Sequence, residues 1–294
     1  MGAIGVLTTL PARAQQEQQD PSGPADFTVF LRGQRIGTEH VDVTRDADGW
    51  TISATGSVGA PLNLTFDRFV ATYAADWQTR SLDISGQMRG QPMSLKTTVA
   101  NNDAVSEVVQ AGQQVTLTHK VSSATVLLPN NFYSAYEAMA LRLHGSKAGD
   151  TIPAYIAPQA ELAVRVERIT PRRMETPQTR HELRQFDLVF PNPSGPLNVE
   201  VWVDARGRLA RLAIPVASVA VVRDDLTGVM ARLDTFSHPR DEELFIPANG
   251  FNIAATITPP AAPVEKAPVV ILLSGSGAQD RDETVFGIPI LGQV

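Results

Sequence analysis

Short apolar runs that alternate with polar residues constrain the fold of this chain more than any other feature. From Phe27 to about Arg223 they recur between turn signals at intervals of roughly 8 to 12 residues, the spacing of antiparallel meanders. Turns are predicted at Asp46 to Gly49 and, within residues 197–214, at Asp204 to Gly207. Alternation places one face of each strand in water and the other in the core. We therefore predict a large antiparallel sheet that must curl, pair or be covered.

Residues 131–143 break this alternation. Their apolar side chains recur at helical spacing, with Asn130 or Asn131 as a possible N-terminal cap and Gly145 as a stop signal. The apolar members are Phe132, Tyr136, Met139, Ala140 and Leu143. The predicted fold class is therefore mainly β (α+β), a curved antiparallel sheet with one covering helix.

The end of the chain has a different pattern. Val269 to Leu273 form an apolar run without alternation after the Pro-rich residues 259–268, which is typical of a parallel strand covered on both faces. The segment Ser274-Gly275-Ser276-Gly277 follows at once. Its two glycines allow the backbone to bend sharply and to present N–H groups, which could hold an oxyanion.

These residues resemble a known family. VVILL followed by SGSGxQDRDET and a short FG-x-x-P segment is similar to the third strand and oxyanion loop of secreted bacterial α/β-hydrolases. Residues 244–258 read as two short strands joined at Asn249-Gly250, which matches that family's opening hairpin. The resemblance covers Glu243 to Val294.

The resemblance implies roles for individual residues of the loop. Ser276 and Gly277 would be the candidate catalytic residues, as backbone donors of the oxyanion hole. The neighbouring residues would position the loop through backbone bends and charge-assisted hydrogen bonds. These are Ser274, Gly275, Asp280, Arg281 and Asp282.

The family also requires a Gly-x-Ser-x-Gly elbow, an acid and a histidine after the oxyanion loop. The chain contains no such elbow, because Ser276 has Ser274 two residues before it and Ala278 two residues after it. We therefore expect an N-terminal fragment of an exported serine hydrolase that acts on ester, amide or peptide bonds. It would end in the truncated start of an α/β-hydrolase domain and be inactive alone.

A second hypothesis makes the β region the functional unit. Many consecutive strands with a covering helix resemble, in architecture alone, the curved half-barrel of periplasmic lipoprotein carriers. Such a sheet could bind a lipid or another apolar ligand in its concavity, or serve as a protein-interaction module. The simpler interpretation is that the apolar face is only the core.

The termini and the composition shifts divide the chain into four parts. Residues 1–14 end in Ala12-Arg13-Ala14, a pattern like a signal-peptidase site, and we interpret them as a truncated signal peptide. Because a basic n-region is missing, an ordinary frayed N-terminus is the alternative. Residues 15–23 would be a flexible tail, 24–238 the β-rich domain and 239–294 the hydrolase start. The predicted location is periplasmic or secreted.

Charge and histidine spacing exclude several functions. With 25 basic against 31 acidic residues the net charge is −6, without a basic stripe for nucleic acid. No apolar run reaches the roughly 18 residues of a transmembrane segment. The histidines are isolated, so no metal site and no cofactor are predicted; they are His40, His119, His144, His181 and His238. The expected partner of the complete enzyme is a small-molecule or peptide substrate.

Overall fold

A computed structural model describes residues 20–175, 180–192, 195–226, 230–232, 242–249, 251–260, 262, 268–273, 284–285 and 288–289. Within these residues the chain is mostly β, with one α-helix. The predicted signal peptide, residues 1–14, and the predicted domain boundary near His238 lie outside the described part.

The first half of the chain forms eight strands that pair in sequence order as an antiparallel meander. These are β1 (Gly23–Leu31), β2 (Gln34–Arg45), β3 (Trp50–Val58), β4 (Leu64–Tyr73), β5 (Thr79–Met88), β6 (Gln91–Ala100), β7 (Asp103–Gln110) and β8 (Gln113–Lys120). The turn predicted at Asp46 to Gly49 joins β2 to β3, and the Asp46 carboxylate accepts the N–H groups of Asp48 and Gly49.

The second half forms another meander in the same sheet. Its strands are β9 (Val126–Leu127), β10 (Thr151–Ile156), β11 (Ala160–Glu175), β12 (Arg180–Phe190), β13 (Leu197–Asp204), β14 (Leu209–Ile214), β15 (Val219–Arg223) and β16 (Met230–Arg232). Among the described strands only β9 and β10 pair in parallel, and β16 pairs with β11 beside the main path. β1 pairs with β15 and so joins the two meanders.

The parallel pair β9–β10 requires a crossover connection. β9 follows β8 after residues 121–125, and residues 128–150 then join β9 to β10, because two parallel neighbours need a connection that passes over a face of the sheet. The segment carries a 3₁₀ turn (Tyr133–Ala135) and helix α1 (Tyr136–Leu143). It covers the apolar face, because Phe132 packs against Phe66 and Phe69 with ring centroids 5.1 and 6.1 Å away.

The sheet is curled, because its two edges meet beside the crossover. The His119 ring on β8 lies 3.0 Å from the Tyr155 hydroxyl on β10, and that hydroxyl also contacts the Ser106 hydroxyl at 3.3 Å. The Leu127 N–H of β9 donates to the Tyr73 hydroxyl of β4 at 3.1 Å. The predicted curved antiparallel sheet with one covering helix therefore agrees with the described fold.

Two features differ from the prediction. The expected Asn cap of the helix is wrong: the N–H groups of Tyr133 and Ser134 donate to the buried carboxylate of Glu39, at 3.1 and 2.5 Å. Alternation also failed on β13, where Val201 and Val203 face the main core but Trp202 on the opposite face is buried too. Trp202 lies in a second cluster with Met174, Leu183, Ala210 and Leu226.

Residues after 241 are described in part. A hairpin of β17 (Glu242–Ala248) and β18 (Phe251–Ile257) pairs Ala248 with Phe251 across Asn249-Gly250, which confirms the predicted turn. Two short strands, β19 (Thr284–Val285) and β20 (Ile288–Pro289), also pair. The run Val269–Leu273 differs from the predicted buried strand, because it belongs to no strand and its side chains are 45 to 84% exposed.

Glu39 makes the stability of this fold depend on pH. Burial raises the pKa of its carboxyl from 4.5 to about 7, although the two N–H donors oppose the shift. A carboxyl with a raised folded-state pKa stabilises the fold fully below its unfolded pKa, and this contribution is lost as pH rises through about 7. The free energy of unfolding should fall by up to about 3 kcal/mol between those pH values.

The Glu39→Gln variant, which cannot ionise, should lack this decrease when urea denaturation is followed from pH 4.5 to 8. Glu107→Gln, at an exposed position on β7, is the control and should keep the wild-type profile. A Glu39→Gln profile as steep as wild type would contradict the assignment.

Candidate functional site

The candidate site is a cleft of about 480 Å³ that is lined by residues from several turns of the sheet. We call it the aromatic cleft. Five parts of the fold meet there: the segment before β1, the β2–β3 turn, the β4–β5 turn, the end of α1 and the β13–β14 turn. Its lining residues are Asp20, Pro21, Arg45, Trp50, Trp77, Leu141, His144, Ala205, Arg206 and Gly207.

Two stacked tryptophans form one wall. The rings of Trp50 and Trp77 are nearly parallel, with centroids 4.9 Å apart and an interplanar angle of 17°. The Arg45 guanidinium lies 4.8 Å from the Trp50 centroid, and that of Arg142 lies 5.8 Å from the Trp77 centroid. Such cation–π contacts hold the guanidinium groups in place without neutralising their charge.

The turn that carries Trp77 is unusual. Trp77 has φ +68°, in the left-handed region that bulky residues rarely adopt. Hydrogen bonds from Trp77 N–H to the Ala74 carbonyl (2.9 Å) and from Ala74 N–H to the Gln78 carbonyl (2.7 Å) close the turn. Conformations of this kind persist where the surroundings fix them, and they concentrate at functional sites. The stack on Trp50 supplies that support here.

Glycine at position 49 lets the Trp50 side of the cleft form. Gly49 has φ +138°, and a Cβ added there would lie 2.1 Å from the Tyr73 carbonyl oxygen. Any larger residue would push the β2–β3 turn away from the end of β4. The β2–β3 turn therefore brings Arg45 and Trp50 next to the segment that leads to Trp77.

A buried ion pair anchors the other wall. The carboxylate of Glu137 on α1 and the guanidinium of Arg208 are 0 and 1% exposed and 2.8 Å apart. Arg208 also donates to the carbonyls of Pro21 and Gly23, at 2.8 and 2.9 Å. This single side chain thus joins the helix, the β13–β14 turn and the start of β1 around the cleft.

Asp204 shapes the turn beside it. Its Oδ1 accepts the N–H groups of Arg206 and Arg208, both at 2.9 Å, and its Oδ2 accepts Arg223 Nη1 at 2.8 Å. With the carboxylate of Asp204 thus engaged, Arg206 is presented to the cleft.

The charges at the cleft are mainly positive. Arg45 and Arg206 line it as cations, and both help to lower the pKa of Asp20, after the larger effect of hydrogen bonds from Ser22. The pKa of His144 is lowered by burial and then by the nearby Arg184 guanidinium, so the ring favours its neutral form. Asp20 is therefore the lining carboxylate that faces these two arginines.

The residues singled out from the sequence belong to the glycine-rich loop and the charged residues that follow it. Ser274, Gly275, Ser276, Gly277, Asp280, Arg281 and Asp282 lie outside the described residues. Sequence reasoning missed the cleft, whose signal is weak: two of the three tryptophans in the chain lie at or beside turns between strands. Nothing in the sequence places these two turns side by side.

Comparison with known proteins adds little. No protein-family model and no curated protein matches the chain. A crystal structure from Bacteroides fragilis, described as an exported protein with a YmcC-like fold, aligns over 70% of this chain and 95% of its own, with 8% identity and a TM-score of 0.28. A TM-score this low supports no inference. In the described residues no helix is long and apolar enough to cross a membrane.

Breaking the Glu137–Arg208 pair should unfold the cleft walls together with the core. Arg208→Met leaves the Glu137 carboxylate buried with only the Leu209 N–H as its partner, so we expect a loss of about 3 to 5 kcal/mol in unfolding free energy by urea titration. The double variant Glu137→Met/Arg208→Met should lose less than Arg208→Met alone, because no unpaired charge remains.

Arg68→Met is the control for that prediction, since Arg68 pairs with Asp83 on the surface and its side chain is 53% exposed. Its loss should stay within about 1 kcal/mol. Equal losses of unfolding free energy in Arg68→Met and Arg208→Met would show that the buried pair stabilises the fold no more than a surface pair does.

Proposed function

We propose that this protein is the N-terminal part of an exported serine α/β-hydrolase, periplasmic or secreted, and that residues 20–232 form a ligand-binding domain in front of the hydrolase sheet. The hydrolase would act on ester, amide or peptide bonds. The observation that carries the hydrolase part is the order of elements after residue 241: hairpin, linker, apolar run and glycine-rich loop.

The exposed apolar run supports this proposal. Val269, Val270, Ile271 and Leu273 are 73 to 84% exposed, whereas the apolar faces of β1 to β15 are largely covered. Five adjacent apolar side chains in water are costly, at about 25 cal/mol for each Å² left exposed. The inner strand of an α/β-hydrolase sheet, with neighbours and helices on both faces, would bury them.

In such an enzyme the loop after this strand would supply oxyanion donors. The N–H groups of Ser276 and Gly277 would stabilise the negative charge that develops on the carbonyl oxygen of the substrate. Asp280, Arg281 and Asp282 would hold the loop through charge-assisted hydrogen bonds. The nucleophile, acid and histidine would come from a further part of the protein, because the chain has no Gly-x-Ser-x-Gly segment.

A pair of substitutions at Ser276 tests this role in the natural full-length protein. Ser276→Pro removes the backbone N–H and should lower kcat for a p-nitrophenyl ester by about 10² to 10³ fold. Ser276→Ala keeps the N–H and should retain activity, because the hydroxyl has no assigned role. Loss of activity in Ser276→Ala would instead identify the hydroxyl as the reacting group, and inactive wild type towards esters, amides and peptides would refute the hydrolase proposal.

The binding part of the proposal is carried by the aromatic cleft. An apolar ligand in the concavity of the sheet is the competing version, but residues 121–143 already fill that face with side chains such as Phe132 and Met139. The cleft, in contrast, is open and lined by arginines and tryptophan rings. It suits a polar ligand better than an acyl chain.

A fluorescent fatty-acid analogue separates the two versions. When it is titrated into the full chain, we expect no saturable increase in its emission, because the concave face is packed. Saturable uptake at micromolar concentration would favour the apolar-ligand version. In that case, Phe132→Ala, which opens space beside Phe66 and Phe69, should increase the uptake.

A further inference from the structure

We propose that the aromatic cleft binds small ring-bearing carboxylates, with the ligand carboxylate between Arg45 and Arg206 and its ring against the tryptophan wall. This inference rests on the proposed binding domain and names its ligand class. It does not depend on the hydrolase part of the proposal.

The lining carboxylate, Asp20, lies within reach of two positive charges. Hydrogen bonds from Ser22 are the main cause of its lowered pKa, and the charges of Arg45 and Arg206, which also line the cleft, lower it further. Two guanidinium groups that act on one exposed carboxylate create a local positive potential, and guanidinium groups recognise carboxylates through paired hydrogen bonds. A ligand carboxylate would bind beside Asp20 in this positive potential or would displace the Asp20 carboxylate from it.

The ring preference follows from the wall. Trp50 is 6% exposed and held by its neighbours, whereas Trp77 is half-buried and also contacts Tyr73, with ring centroids 5.5 Å apart. Leu141 adds an apolar side chain to the lining. Because the ring faces of Trp50 and Trp77 already contact each other and two guanidinium groups, the wall offers ring edges to a ligand ring, and edge-to-face contact is a favourable aromatic arrangement. The volume of about 480 Å³ lies in the range of small-ligand sites.

Other ligand classes fit the lining less well. A metal ion would find one carboxylate, Asp20, and two cations beside it. An acyl chain would need a continuous apolar channel, and arginines interrupt the lining. A neutral sugar could contact the rings but would leave the arginine charges unused.

Tryptophan emission offers a direct measurement. Trp202 belongs to the separate cluster on the other face of the sheet, so Trp202→Phe leaves Trp50 and Trp77 as the emitters at the cleft. In this background, full-length protein is titrated with D-glucuronate and phenylacetate, which carry the carboxylate on a sugar and on an aromatic ring. D-glucose and phenylacetamide are their uncharged counterparts, and acetate is a carboxylate without a ring.

We expect a saturable emission change with at least one of the two ring-bearing carboxylates, and at least tenfold weaker binding of its uncharged counterpart and of acetate. Whichever of the two carboxylates binds more tightly then identifies the ligand class as sugar acids or as aromatic acids. Arg45→Gln and Arg206→Gln should each weaken binding about tenfold. Asp20→Asn should tighten it several-fold, because Asn still accepts the Ser22 N–H but removes the competing charge.

Arg35→Gln is the matched control, since it removes an exposed arginine from the opposite end of the same strand, β2, and should leave the affinity unchanged. If Arg35→Gln weakens ligand binding as much as Arg45→Gln does, the affinity depends on the net charge of the protein. The proposed carboxylate site between Arg45 and Arg206 would then be wrong. Equal affinity for charged and uncharged ligands overturns the ligand class but keeps a binding domain. No saturable change with any compound overturns both, without bearing on ester hydrolysis by the full-length enzyme.

Discussion

The buried ion pair between Glu137 and Arg208 is the interaction on which the rest of this architecture depends. The crossover from β9 to β10 carries the only α-helix of the described residues across the concave face. Arg208 holds this helix by bonding Glu137 and the carbonyls of Pro21 and Gly23 at the start of β1. A buried pair of this kind costs desolvation, but it specifies one register of helix on sheet.

A second buried glutamate, Glu39 on β2, also contacts the crossover, but its carboxylate is stabilised in a different way. Glu39 has no cation beside it and instead accepts the N–H groups at the start of the 3₁₀ turn. Burial raises the pKa of Glu39 more than these two N–H donors lower it. The 3₁₀ turn is therefore held by a titratable cap, and the first turn of α1 by a charge pair.

Sequence patterns predicted the local elements well, because their causes are local. The turn at Asp46 to Gly49, the hairpin of residues 197–214 and the Asn249-Gly250 turn each depend on residues within a few positions. The helix was predicted from its apolar spacing. Its cap was missed because the acceptor, Glu39, is 94 residues from Tyr133 along the chain. The burial of Trp202 was missed because alternation does not reveal what covers the outer face.

The aromatic cleft could not be predicted for the same reason. Arg45 and Trp50 flank one turn, Trp77 lies in another, and Arg206 belongs to a third turn more than 100 residues later. These turns meet because β1 pairs with β15, which joins the two meanders in one curled sheet. The site is thus a property of topology, and any residue that fixes the topology also fixes the site.

The two ends of the described chain differ in how much of their apolar side-chain surface is covered. In residues 20–226 the apolar side chains of the two meanders are mostly covered, by the crossover on one face and around Trp202 on the other. The run Val269–Leu273 is exposed along its whole length. A sheet that has already curled around its own crossover cannot easily accept this run on its apolar face, because that face is filled. Burial of the run would therefore need apolar surface outside this core, which the proposed hydrolase sheet would supply.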